Sequence, residues 1–139
     1  LIEATKGDAL MFEKLDIFRM SHAMATHAGA RQALVAQNMA NADTPGYAAQ
    51  DIEPFHTLYE AQGGAIMPRA TREGHLMGHD TRMGMSPSDR DGAQRDPNGN
   101  SVALETEMLN AVEVKRQHDR AITIYKSSLT LLRTALGRG

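Results

Sequence analysis

The sequence predicts a mainly α protein. Two long helices, one from each end of the chain, pair as a coiled coil and are joined by a small irregular or β-containing insert and a flexible loop. Three observations carry this. Residues 13–42 hold no Pro and a single Gly, Gly29, and the stretch is halted by Pro45-Gly46. All five Pro (45, 54, 68, 87 and 97) lie between residues 44 and 100. The last third of the chain repeats its apolar residues at alternating spacings of three and four. The expected divisions are 1–10, an N-terminal extension; 11–43, the first helix; 44–77, the turn and insert; 78–100, the loop; and 101–139, the second helix.

The first helix rests on Ile17, Met20, Met24, Ala28, Val35, Met39 and Ala42, spaced by three or four once Arg31 is admitted as a polar slot. Ten Ala fall between residues 21 and 49. Ala favours helix and leaves little bulk, so a neighbouring helix can approach closely. Ahead of this helix, Glu3, Lys6 and Asp8 interrupt any apolar run, so no cleavable secretory signal is expected. Met11-Phe12-Glu13 reads as a start, which makes residues 1–10 an extension that need not be native.

The string Asn38-Met-Ala-Asn41-Ala-Asp-Thr44-Pro45-Gly46-Tyr47 ends the helix. Pro45 lacks an amide hydrogen and disfavours helical geometry at Thr44, while Gly46 accepts positive φ. Asn41, Asp43 and Thr44 supply short polar groups to the loose backbone of a turn. Asn38, Asn41, Thr44, Pro45, Gly46 and Tyr47 are expected to fix the helix end and the direction in which the insert leaves. Val at position 46 should then be worse than Val at position 49, which reads as extended backbone beyond the turn.

The insert offers two candidate strands, 51–59 and 65–77. From Gly78 to Asn100 only Met83, Met85 and Ala93 are apolar, too little burial to offset the entropy of ordering.

The second helix carries the strongest pattern. Leu104, Met108, Ala111, Lys115, His118, Ile122, Tyr125, Leu129, Leu132 and Leu136 form an unbroken heptad seam with two polar interruptions. Asn100 or Ser101 is placed to cap its start, Glu105 and Glu107 suit the positive end of the helix dipole, and Gly137 reads as a stop. Leu104, Met108, Ala111, Ile122, Tyr125, Leu129, Leu132 and Leu136 are expected to form a packing seam, against the first helix or against other copies. Glu105, Glu107 and Glu113 read as a solvated or inter-subunit face.

Composition removes several functions. The formal charge of −2 gives no basic footprint for nucleic acid. Without Cys there is no disulfide, thiol nucleophile or thiolate metal site. Aromatics are 4% and Trp is absent, a thin supply for a self-sufficient core, so assembly to complete the core is expected. Gly63-Gly64 lacks the Gly-Lys-Ser/Thr of a phosphate loop. Ser86, Ser88, Asp89 and Asp91 lack the strand–turn–helix setting of a nucleophile. His75 and His79 with Asp80 have metal-like spacing, the basis of an alternative reading as a small metal-dependent hydrolase, one acting on the cell wall. Gly74 and Gly78 disfavour a helix there and no third ligand stands at a telling distance. No catalytic, cofactor or metal residues are expected, and no small-molecule substrate.

The ten-residue turn string resembles the N-terminal signature of the bacterial flagellar rod and hook proteins, which are axial structural subunits. Arg31 ahead of Ala36-Gln37-Asn38-Met39-Ala40-Asn41 fits the same pattern. So do Thr71, His75-Leu76, the run Gly99-Asn100-Ser101-Val102-Ala103-Leu104-Glu105 with Glu107-Met108, Tyr125-Lys126, and Leu131-Leu132-Arg133-Thr134-Ala135-Leu136. The C-terminal motif is most similar to proximal-rod members. Ala48-Ala49 and Ala103 depart from the family, which usually has a basic residue after Pro-Gly-Tyr and an Asp before Leu-Glu. The resemblance implies a structural role in the proximal rod of the flagellar basal body, the drive shaft. It implies type III export without a cleaved signal and a final place in the periplasm. The partners it implies are other copies, other flagellar rod subunits and the basal-body membrane ring and export apparatus; the alternative within the same class is another rod or hook-type axial subunit.

Overall fold

The computed structural model describes residues 2–62, 85–90 and 92–137, with side chains from residue 6 onward at the N-terminal end. Five elements follow one another: α1 (Ile2–Ala40), β1 (Gln50–Asp51), α2 (Phe55–Ala61), β2 (Ser88–Asp89) and α3 (Leu104–Leu136). The two long helices pack along each other. Their direction is antiparallel, because Phe18 stacks against Tyr125 with ring centroids 4.7 Å apart while Asn38 bonds to Glu107. At about 1.5 Å per residue the pair is roughly 50 Å long. The mainly helical fold with paired terminal helices and a small β insert is the one the sequence predicted.

Helix α1 is continuous through residue 11, so the expected division there falls inside a helix. Its wholly or nearly buried positions include Ser21, Ala28 and Val35, seven residues apart. Those of α3 are Glu107, Val114, Ala121 and Ser128, also seven apart. Most of these side chains are small, so backbone approaches backbone and little apolar bulk is needed between them.

The expected seam is not the line that faces α1. The buried line shares its period and differs in phase. The positions 104, 111, 118, 125 and 132 lie some 40° round the helix from the buried line, and 108, 115, 122, 129 and 136 about 100° round on the same side. Ala111, Ile122, Tyr125, Leu129 and Leu132 are half-buried flanks of the interface, while Leu104, Met108 and Leu136 are exposed. Leu109, Val112 and Leu131, outside the expected seam, are exposed as well.

Three local expectations change. Residues 51–59 are not one strand. β1 is two residues long, and Pro54 then occupies the N-cap position of α2. Phe55 and Tyr59, four apart, stack on one face of that helix at 5.8 Å. Neither Asn100 nor Ser101 caps α3; Ala103 stands at the N-cap with no side-chain bond, because both polar side chains are engaged elsewhere. Residues 85–90 and 92–100 of the expected loop are held by backbone pairing: β2 runs antiparallel to β1 with Gln50 opposite Asp89 and Asp51 opposite Ser88, and Asp96 and Asn100 close a turn. The candidate strand 65–77 and the remainder of the loop, including His75, His79 and Asp80, lie outside the described residues. Gly137 ends α3 as expected, its amide reaching Arg133 O at 2.7 Å.

Candidate functional site

The signature turn is built from both ends of the chain. Tyr47 N–H donates to Thr44 O at 3.2 Å, and Gly46 has φ +74°, the pattern of a type II turn with Pro at its second position. Gly46 N–H donates to Asn98 O, and Ser101 N–H donates to Tyr47 O. Gly99, at φ +83°, comes so close that an added Cβ would stand 3.4 Å from Gly46 Cα. Asn41 accepts from the Thr44 hydroxyl and donates to Gln37 O, tying the turn back to the end of α1.

Asn38 is fully buried and uses its whole amide. Its Nδ2 donates to Gln50 O at 2.8 Å and to Glu107 Oε2 at 3.1 Å. Its Oδ1 accepts from Gln50 N–H at 3.0 Å and from the Tyr47 hydroxyl at 3.2 Å. An Asn amide can offer two donors and two acceptor sites, so nothing is left unpaired. One side chain thus fixes the turn, β1 and α3 to α1.

Glu107 is equally buried, which corrects its reading as part of a solvated face. Burying a lone carboxylate would be very costly. Arg90 answers it directly through its guanidinium. Arg90 in turn stands 3.7 Å from Asp51, and Asp51 takes two bonds from Arg31 at 3.0 and 3.2 Å. Alternating charges therefore run from α1 through β1 and the segment after β2 to α3. Burial, then the Glu107 carboxylate nearby, raises the Tyr47 phenol above its ordinary value and keeps it a neutral donor.

Asn100 closes the other side. Its Nδ2 donates to Asn41 O and Thr44 O at 2.9 and 2.7 Å, and its Oδ1 accepts from Val102 N–H. The Ser101 hydroxyl accepts from Ala49 N–H at 2.8 Å. Ala49 is fully buried, so Val there adds two methyls to a packed site, and the expected gap between Val at 46 and Val at 49 narrows. The structure brings Asn38, Asn41, Thr44, Gly46 and Tyr47 into one junction; Pro45 is exposed at its rim.

Arg90, Asp51, Asn100 and Ser101 have junction roles that sequence reasoning missed. Arg90 carries no periodic signal at all. Asn100 and Ser101 stood in a quoted motif, but a short polar residue before a helix reads as a cap whatever it touches.

Among the described residues, no three His, Cys, Asp or Glu side chains are grouped to hold a metal, and no helix is long and apolar enough to cross a membrane. A shallow apolar groove of about 440 Å³ runs beside the helix pair, over Ala28, Gly29, Val112, Val114 and His118.

The described residues form a long helix pair clamped at one end by a buried polar junction, with large apolar side chains facing outward. A known protein gives the particular likeness. Over 119 residues the chain is 29% identical to the flagellar basal body rod protein FlgB of Agrobacterium fabrum strain C58, a match covering 83% of this chain and 88% of that protein. The likeness supports a FlgB-like flagellar rod protein and points to a structural rather than enzymatic role. No protein-family model matches the chain.

Proposed function

We propose that this chain is a structural subunit of the proximal rod of the bacterial flagellar basal body, needed for flagellar assembly and motility. The observation that carries the reading is the likeness to a rod protein along most of both chains. The outward line of α3 supports it: Met108, Leu109 and Val112 are each more than half exposed, and Leu136 is 73% exposed. Large apolar side chains grouped on one face of a helix mark a contact surface. In the rod, helix pairs from several copies and from other rod subunits lie side by side, and the expected seam of Leu104, Met108, Ala111, Ile122, Tyr125, Leu129, Leu132 and Leu136 contributes to those lateral contacts. The junction at Asn38, Asn41, Thr44, Pro45, Gly46 and Tyr47 keeps each subunit rigid at one end, so torque passes through many shared interfaces. Heterologous contacts of this kind give an open helical shaft when the rotation does not close.

The subunit reaches the periplasm by type III export without a cleaved signal and seats near the basal-body ring. The test is a strain lacking the gene, complemented with a tagged chain, with electron cryomicroscopy of its basal bodies. Density for the chain at the membrane-proximal end of the rod is expected. Density in the distal rod or hook would make it another axial subunit, and intact motility without the gene would overturn the reading.

A further inference from the structure

Outside the charge chain, one titratable side chain is wholly buried against the insert. His27 of α1 has no exposed surface. Its Nε2 lies 2.7 Å from Glu53 O, just ahead of α2. A carbonyl oxygen can only accept, so Nε2 carries the hydrogen and Nδ1 is the bare nitrogen. That Nδ1 is buried with no hydrogen-bond partner among the described residues. The ring stands edge-on to Phe55, the buried residue of α2, with centroids 5.8 Å apart.

On the same helix, Arg31 binds Asp51 and Asn38 binds Gln50. His27, Arg31 and Asn38 thus hold successive points of the segment 50–53 against α1. Two of these grips are insensitive to pH near neutrality in kind: an amide does not titrate and a guanidinium stays charged. His27 alone can change its charge there.

We propose that His27 is a protonation-sensitive latch that positions the insert, docking α2 on α1 when neutral and releasing α2 when protonated, while the α1–α3 pair stays formed. A proton added to Nδ1 creates a buried cation with no acceptor for it among the described residues. From α1 it meets Arg31, which repels it. From β1 it meets Asp51, whose carboxylate is already bound by Arg31. Glu53 offers only its carbonyl, and that is taken. On α2 stand His56 and Tyr59. Across the neighbouring cleft α3 contributes Arg116 and Arg120 against a single Glu113. The surroundings therefore oppose a second positive charge. The nearest relief is for α2 to lift, which hydrates the ring at the cost of Phe55 burial and the partial burial of Leu58 and Tyr59. Burial holds the His27 pKa below its ordinary 6.5, with Arg31 pushing the same way and the Glu53 carbonyl and Asp51 opposing. The sign follows: docking is complete above pH 6.5, weakens below it as the undocked form takes up the proton, and levels off once the pH falls below the docked value. The latch holds whether or not the chain is a rod subunit, because its test reads the chain alone.

The test is amide hydrogen exchange of the full chain at pH 7.5 and 5.0, corrected for intrinsic rates. Protection at Thr57 and Leu58, whose amides bond to Pro54 O, is expected to fall roughly tenfold or more at pH 5.0, with the α1–α3 core unchanged. His27→Gln keeps a donor for Glu53 O without titrating, and should remove the pH dependence. Should that variant fail to fold, the ring resonances of the unmodified chain decide: His27 should titrate below 6.5 with Phe55 and Tyr59 shifting in step. The proposal is overturned by a pH dependence that survives in His27→Gln, by loss of protection in α1, α2 and α3 together, or by a His27 titration at or above 6.5.

Discussion

Two heptad lines run side by side along α3. The inner one, Glu107, Val114, Ala121 and Ser128, faces α1 and holds one large apolar residue at most; the outer one carries the exposed Met108 and Leu136 and the half-buried Ile122 and Leu129. The inner line is closed by small side chains and, at its start, by a buried carboxylate that needs Asn38 and Arg90. It gives close approach and a fixed register, but modest apolar burial. The outer line has the bulk and is covered only in part within the described residues. Hydrophobic stabilisation scales with the apolar area removed from water. This helix therefore spends little of its capacity inside the chain and keeps the greater part for contacts outside it. What holds the free chain together is concentrated at the junction, where geometry is specific. What holds an assembly together lies along the length, where geometry is repetitive.

The sharpest break of this contrast is at the junction. Arg90→Ala leaves Glu107 buried with only the Asn38 amide, and should cost about 3–5 kcal/mol. That is a large share of the ~5–15 kcal/mol typical of a whole domain. The measurement is the urea midpoint, followed by helix circular dichroism. Arg90→Ala combined with Glu107→Leu should recover part of the loss, because no uncompensated charge remains. A single-variant loss below about 1 kcal/mol would mean that water reaches Glu107 and the inner line is not closed.

Next comes the inner line itself. Ala121 has no exposed surface, so Ala121→Leu forces the helices apart and should cost about 1–3 kcal/mol. A neutral result in the same urea measurement would place the true close contact on another line, the expected seam included.

How much of this was legible follows from the two lines. A period of three and four announces a helix that packs, and the pairing of both ends could be read from it. Phase was read from hydrophobicity, on the assumption that the bulkiest stripe is the buried one. That assumption holds for a chain that completes its own core. Here Ala121 and Ser128 are buried because they are small, and a small residue is silent in a hydrophobic pattern. Glu107 was unreadable for a different reason: a glutamate is assigned to solvent unless its partner is known, and Arg90 comes from a segment without periodicity. At the turn, Pro45-Gly46 dictates backbone geometry locally, and Gly46 has the positive φ that the string requires. That Asn38 reaches Gln50 and Glu107, and Asn100 reaches Asn41 and Thr44, depends on tertiary placement that no spacing encodes. The short helix α2 was hidden because Phe55 and Tyr59 suit a strand as well as a helix.

A smaller effect separates the two glycines of the turn. Both lie at positive φ, where a Cβ costs about 1–2 kcal/mol. Gly46→Ala meets open space, so only the backbone term applies. Gly99→Ala adds a contact of 3.4 Å to Gly46 Cα, at the edge of ordinary van der Waals contact, and should be only slightly the worse of the two. Thermal midpoints of the two variants decide the order. If Gly46→Ala proves worse, the turn is strained by something other than the approach of the two backbones.

The smallest effect on stability is expected where the sequence pattern is loudest. Met108, on the outer line, is 57% exposed, and Leu109, beside it and outside the expected seam, 73%. Replacing either with Ser removes little buried area, and the isolated chain should change by no more than about 0.5 kcal/mol, as for other surface substitutions. Function should respond in the opposite sense. If the outer line is covered by neighbouring subunits, each copy in the shaft loses apolar burial at the same place, and basal-body yield and swimming fall sharply although the monomer folds normally. The pair of measurements is a urea titration of the purified variant and a motility assay with export checked separately. A stability loss above about 1 kcal/mol would show that the outer line is buried within the free chain. Unchanged motility with unchanged stability would show that these side chains face solvent in the assembly too, and the distinction between the two lines of α3 would then have no mechanical meaning.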